Sequence, residues 1–144
     1  MRKVLPYGSW VSPITSHLVA QSAVSFGSIQ LDRNNLFWVE TRSDEDGRGV
    51  IVQYSSDGII RDVTSEPYDA RTRVHEYGGL CFWVVDDIVW FVNYSDQRVY
   101  RQRVGEYPVP ITPENADLRY ADGMIDSLRR RLVCVREDHT PTGY

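Results

Sequence analysis

The sequence predicts an all-β chain: a partial β-propeller of two four-stranded blades plus part of a third, with a short N-terminal helix. Three observations carry this. A strand-rich unit recurs from Ser25 to Thr64, from Glu76 to Thr112, and again from Arg119 to Tyr144. Landmark residues repeat with it: Trp38 and Trp90 lie 52 residues apart, Thr64 and Thr112 48, Tyr77 and Tyr120 43. Within each copy, β-branched and aromatic runs alternate with turn-forming clusters, and a strand-built repeat of about 40–50 residues is the signature of propeller blades.

Residues 1–24 read as a leader with a short helix, and residues 25–144 as the incomplete propeller. Ser12 followed by Pro13 is a helix start, a capping hydroxyl before a proline at the first helical position. Ile14, Leu18 and Gln21 share one face, so the spacing predicts a helix over about 13–21. In the first blade, residues 24–31, 36–40, 50–54 and 59–63 are strands, joined by turns at 32–35, 43–49 and 55–58. The second repeats this with strands at 79–85, 88–93, 99–104 and 109–111. Pro108 and Pro110 suit an outer edge strand, where a missing N–H costs little. Thr112 is expected to cap a short helical turn. The third offers strands only at 123–125 and 132–135. Small residues open each inner strand (Gly27-Ser28, Gly78-Gly79, Ala121-Asp122-Gly123), as crowding near a propeller axis requires. Trp38 and Trp90 are expected to be equivalent core residues between blades.

Composition narrows the function. With 144 residues and 42% hydrophobic content the chain can bury a core. A net charge of −4 argues against a nucleic-acid surface; the run Arg129-Arg130-Arg131 reads as a solvated turn. No segment reaches bilayer-spanning length and no signal-peptide pattern follows Met1-Arg2-Lys3, so neither membrane nor secretion is expected and the location reads as cytoplasmic. Cys81 and Cys134 read as reduced and buried, with an inter-blade disulfide as the alternative. No nucleophile elbow, zinc spacing or phosphate loop occurs, and Asp44-Glu45-Asp46-Gly47 reads as a hairpin turn rather than a calcium loop. No catalytic residue, metal or cofactor is assigned.

The densest polar run is Arg71-Thr72-Arg73-Val74-His75-Glu76-Tyr77-Gly78-Gly79, at the handover between blades. Arg71, Arg73, His75, Glu76 and Tyr77 are the candidate site: they could bind a carboxylate, line a gate, or contact another domain. The alternative is a purely structural network, with Glu76 pairing Arg71 or Arg73. Glu137-Asp138-His139 reads as a structural loop.

The leader PYGSWVSPIT (Pro6 to Thr15), RTRVHEYGG (Arg71 to Gly79), RYADG (Arg119 to Gly123) and RRLVCVREDH (Arg130 to His139) resemble the amino-terminal propeller of the prolyl oligopeptidase family. They are most similar to its dipeptidyl-aminopeptidase/acylaminoacyl-peptidase branch. The resemblance implies a serine peptidase acting on short peptides, with a Ser-Asp-His triad on a C-terminal α/β-hydrolase domain that this sequence lacks. The chain would then be a non-catalytic segment that gates or positions substrate, truncated before the catalytic domain. Two alternatives remain: a stand-alone propeller binding module, and a propeller enzyme with an axial metal, for which Glu40, Glu76 and Asp122 are the only carboxylates available.

Overall fold

The computed structural model describes residues 4–9, 11–16 and 23–141. Strands β1 (Val24–Asp32), β2 (Asn35–Arg42), β3 (Arg48–Tyr54) and β4 (Ile60–Asp62) form one antiparallel sheet in chain order. A second sheet has the same order: β5 (Phe82–Val85), β6 (Ile88–Val92), β7 (Val99–Arg103) and β8 (Val109–Pro110). A two-stranded hairpin follows, β9 (Leu118–Asp126) and β10 (Arg131–Asp138). Local chemistry sets the joints. Asp86 and Asp87 both adopt positive φ (56° and 59°), which lets two residues close β5 onto β6. Pro110 lies in β8, the outer strand of its sheet.

Several expectations need correction. Strand β5 begins at Phe82, not Gly79. The hairpin strands are nine and eight residues long, well beyond the short apolar runs expected. Their polar ends are held in register: Arg136 opposes Tyr120, and Glu137 opposes Arg119. Glu137 and Asp138 therefore close a strand and are not loop residues. Thr112 caps no helical turn. Its hydroxyl accepts from Val99 N–H at 3.0 Å. Thr64 does the same for Ile51 N–H at 2.9 Å, so the 48-residue threonine spacing marks one repeated latch between the third strand and the chain leaving the fourth. In the leader, Ser12 Oγ accepts from Ile14 N–H at 3.0 Å, but residues 13–15 are bend and coil, so the helix expected to start at Pro13 does not start there. Residues 17–21 of the expected helix lie outside the described residues.

The latches fix which residues correspond. Ile51 pairs with Val39, and Val99 pairs with Val92, so Val39 matches Val92 and Phe37 matches Trp90. Trp38 and Trp90 are thus not equivalent. They miss by one residue, which places them on opposite faces. Phe37 is fully buried, while Trp38 is half-buried and donates its indole N–H to Glu40 at 3.0 Å.

Two apolar seams join the three units. In the first, Phe37, Val39 and Ile51 of one sheet meet Phe82, Val84, Val89 and Phe91 of the next. In the second, Trp83, Trp90, Val92 and Val99 meet Leu118 and Tyr120 of the hairpin. Gln102 reaches across the first seam, donating to Val63 O at 2.7 Å. Crowding near the inner strands is severe. A Cβ on Gly123 would fall 2.2 Å from the Trp83 ring, and one on Gly79 would fall 3.0 Å from Ala121.

Phe37→Ala and Trp90→Ala are each expected to cost about 3–5 kcal/mol in urea unfolding, the range for emptying an aromatic core site. Trp38→Ala should cost clearly less. Equal losses for Trp38 and Phe37 would overturn this register.

Candidate functional site

The crossover between β4 and β5 is pinned from three directions. Thr72, buried, donates its hydroxyl to Tyr120 O at 2.6 Å and accepts from Val74 N–H at 3.2 Å. Val74 is fully buried and anchors the turn. Arg73 N–H donates to Gln97 Oε1 at 2.8 Å. Beyond this anchor the chain coils tightly: His75, Glu76 and Gly78 have φ of 57°, 64° and 91°. Glu76 N–H returns to Arg73 O, and Gly78 N–H to Val74 O. Gly78 suits the last of these left-handed positions, where a side chain is disfavoured.

The candidate side chains diverge from this coil. Arg71 makes three hydrogen bonds to Asp69, at 2.5–3.0 Å, and that carboxylate also accepts from Gly49 N–H at 2.8 Å. The guanidinium carbons of Arg71 and Arg73 lie 4.1 and 4.3 Å from the Tyr94 ring centroid, cation–π distances. Glu76 pairs with Arg119 at 2.7 Å, not with Arg71 or Arg73 as expected. His75 turns toward the hairpin, where its Nδ1 lies 3.1 Å and its backbone N–H 2.8 Å from Glu137 Oε1. His139 Nε2 sits 3.1 Å from the other Glu137 oxygen. The Tyr77 ring stacks on His75 at 5.8 Å and is otherwise exposed.

Arg71, Arg73, Glu76 and Tyr77 come together on one wall of a cleft of about 480 Å³. Gly27, Ser28, Val39 and Thr41 of the first sheet form the facing wall. His75 is not part of it. Sequence reasoning missed Asp69, Tyr94, Gln97 and Arg119. Asp69 stands two residues before Arg71 and was readable as a partner; Tyr94 and Gln97 enter from the loop between β6 and β7 and Arg119 from the hairpin, too far along the chain for the sequence to pair them with this run.

Electrostatics separates held groups from reactive ones. The Asp69 hydrogen bond raises the Arg71 pKa, keeping it charged. Burial pushes the Cys81 thiol up to about 12, which makes it inert at neutral pH. Both cysteines are free, Cys81 buried and Cys134 only half-buried. Among the described residues, no group of three His, Cys, Asp or Glu is placed to hold a metal ion. The three carboxylates considered for an axial metal are engaged separately: Glu40 by Trp38 and Arg42, Glu76 by Arg119, Asp122 by Leu80 N–H. No helix among the described residues is long and apolar enough to cross a membrane.

No protein-family model and no curated protein sequence matches the chain. Solved structures do. A puromycin-hydrolysing peptidase from Mycobacterium tuberculosis is 38% identical over 95% of this chain, with a TM-score of 0.84. A puromycin hydrolase is 30% identical over 96%, also at 0.84. A serine-to-alanine variant of puromycin hydrolase in complex with PGG is 31% identical over 94%, at 0.83. The chain spans only 22–23% of the length of these proteins.

The hydrogen bond with His139, followed by that from the His75 N–H, holds the Glu137 carboxyl below its ordinary range. A carboxyl with a depressed folded-state pKa stabilises the fold above its unfolded value, about 4.3, and this is lost as pH falls through the folded value. Glu137→Gln should therefore lower stability at pH 7, with the difference from the unmodified chain vanishing in strong acid. A difference independent of pH in chemical denaturation would contradict this role.

Proposed function

We propose that this chain is the opening segment of the propeller of a prolyl-oligopeptidase-family serine peptidase, each four-stranded sheet being one blade and the hairpin the start of a third. The observation that carries the reading is the 38% identity across 95% of the chain, at a TM-score of 0.84, to a puromycin-hydrolysing peptidase. The motifs PYGSWVSPIT and RTRVHEYGG support it, and favour the dipeptidyl-aminopeptidase/acylaminoacyl-peptidase branch. Exposed apolar residues on the outward face of the first sheet (Phe26, Ile29, Leu31) and on the hairpin (Met124, Val133) suit further blades on either side.

On this reading the chain supplies no catalytic group. A triad and an oxyanion hole would lie on an α/β-hydrolase domain encoded elsewhere, where a general base activates the serine and N–H donors hold the developing oxyanion. The propeller segment restricts and orients short peptides and aminoacyl conjugates on their way to that serine. Arg71, Arg73, Glu76 and Tyr77 border the passage, and His75 holds the coil to the hairpin through Glu137.

Grafting this chain in place of the matching segment of the Mycobacterium tuberculosis peptidase tests the reading. The chimera is expected to hydrolyse puromycin, and the chain alone to cleave neither puromycin nor an aminoacyl-nitroanilide. A folded chimera without activity, or phosphonate-sensitive cleavage by the chain alone, would overturn it.

A further inference from the structure

We propose that Arg73 is the anion anchor of the cleft and takes the carboxylate of an entering peptide. The choice of a peptide as ligand rests on the peptidase reading above; the anion site itself rests on local charge. Two guanidiniums share the Tyr94 ring. Asp69 offsets only one of them, gripping Arg71 through both oxygens while also accepting from Gly49. Glu76 is taken by Arg119. Among the described residues the Arg73 guanidinium has no ion pair and no hydrogen bond, so one positive charge in the cleft is left uncompensated.

That charge is also held in place. The Arg73 N–H is fixed by Gln97, its carbonyl accepts from Arg119 at 3.1 Å, and its side chain lies over Tyr94. A guanidinium restrained before binding loses less entropy when an anion arrives. Its planar fork fits a carboxylate with two parallel hydrogen bonds. The nearby Asp69 and Glu76 carboxylates disfavour a dianion such as phosphate relative to a single negative charge.

Among the described residues Arg101 and Arg130 also lack carboxylate partners, but they border a groove that is open for a different reason. Gln53, the counterpart of Arg101 in the first sheet, is 4% exposed and pairs with Phe37, on the face that packs on the second sheet. The hairpin has only two strands, so that groove is an uncovered packing face.

The test is an NMR titration of the full chain, following the side-chain Nε–H signals of Arg73 and of Arg71, the latter present in parent and variant alike. The probes are Ala-Ala-Phe as the free acid, the same peptide as its C-terminal amide, acetate and inorganic phosphate. The free acid should shift these signals saturably and bind at least tenfold more tightly than the amide, with phosphate no tighter than acetate. Arg73→Gln should abolish the preference for the acid while its urea midpoint stays near that of the parent chain. Equal binding of acid and amide, no binding of the acid, tighter binding of phosphate, or a preference that survives Arg73→Gln would overturn the anchor. The acid–amide comparison needs no variant, so it stands if Arg73→Gln misfolds. An inactive chimera with an intact acid preference would remove the peptidase reading and leave the anchor; an active chimera without that preference would do the reverse.

Discussion

Sheets that fan around an axis cannot extend one another's hydrogen-bond ladders, so the free edge of each inner strand has to be satisfied by side chains. This constraint organises the molecule. Gln30 meets the edge of β5 with both ends of its amide, donating to Phe82 O at 2.7 Å and accepting from Val84 N–H at 3.1 Å. Two residues on, Asp32 accepts from the N–H groups of Asp86 and Asp87 in the next hairpin turn. At the second junction Asp122 accepts from Leu80 N–H, and its own N–H donates to Leu80 O. Gln30 and Asp32 at the first junction and Asp122 at the second do what a neighbouring strand would otherwise do.

The apolar seams supply the bulk of the stabilisation, at roughly 1.5–3 kcal/mol for each large side chain fully buried. They are not directional. The polar junctions choose which of the many ways of stacking two apolar sheets is adopted, because a slip would leave Phe82 O and Val84 N–H buried without partners. That choice carries through to the cleft. One wall comes from the first sheet and the other from the crossover, which is tied to the hairpin by Thr72, Arg119 and Glu137. The arrangement of Arg71, Arg73 and Tyr94 therefore depends on how three units pack, not on the local sequence alone.

This explains what could be read in the sequence. Strands with hydrophobic or β-branched runs were legible from β1 to β8, since each is specified within a few residues. The threonine latch was visible as a spacing because it lies within one sheet. The tryptophan spacing misled. The segment from Val39 to Ile51 is five residues longer than that from Val92 to Val99, so spacings before and after this loop differ between the two copies. A 52-residue match then falls one residue out of register and on the wrong face. Tyr77 and Tyr120 fail for another reason: one is an exposed loop residue and the other is buried in β9. The hairpin was under-read because its ends are charged, and their pairing partners Glu76 and His75 lie more than 40 residues upstream. The candidate site was legible as a dense polar run, whereas the ring that gathers its arginines was not.

Residue-resolved amide hydrogen exchange on the full chain, with and without Gln30→Leu, tests the side-chain junction most directly. Val84 N–H is expected to be protected in the parent chain and to exchange at least tenfold faster in the variant, while Ile51 N–H, held by Thr64 within its own sheet, keeps its protection. Unchanged protection at Val84 would show that the junction does not hold β5, and would contradict the account.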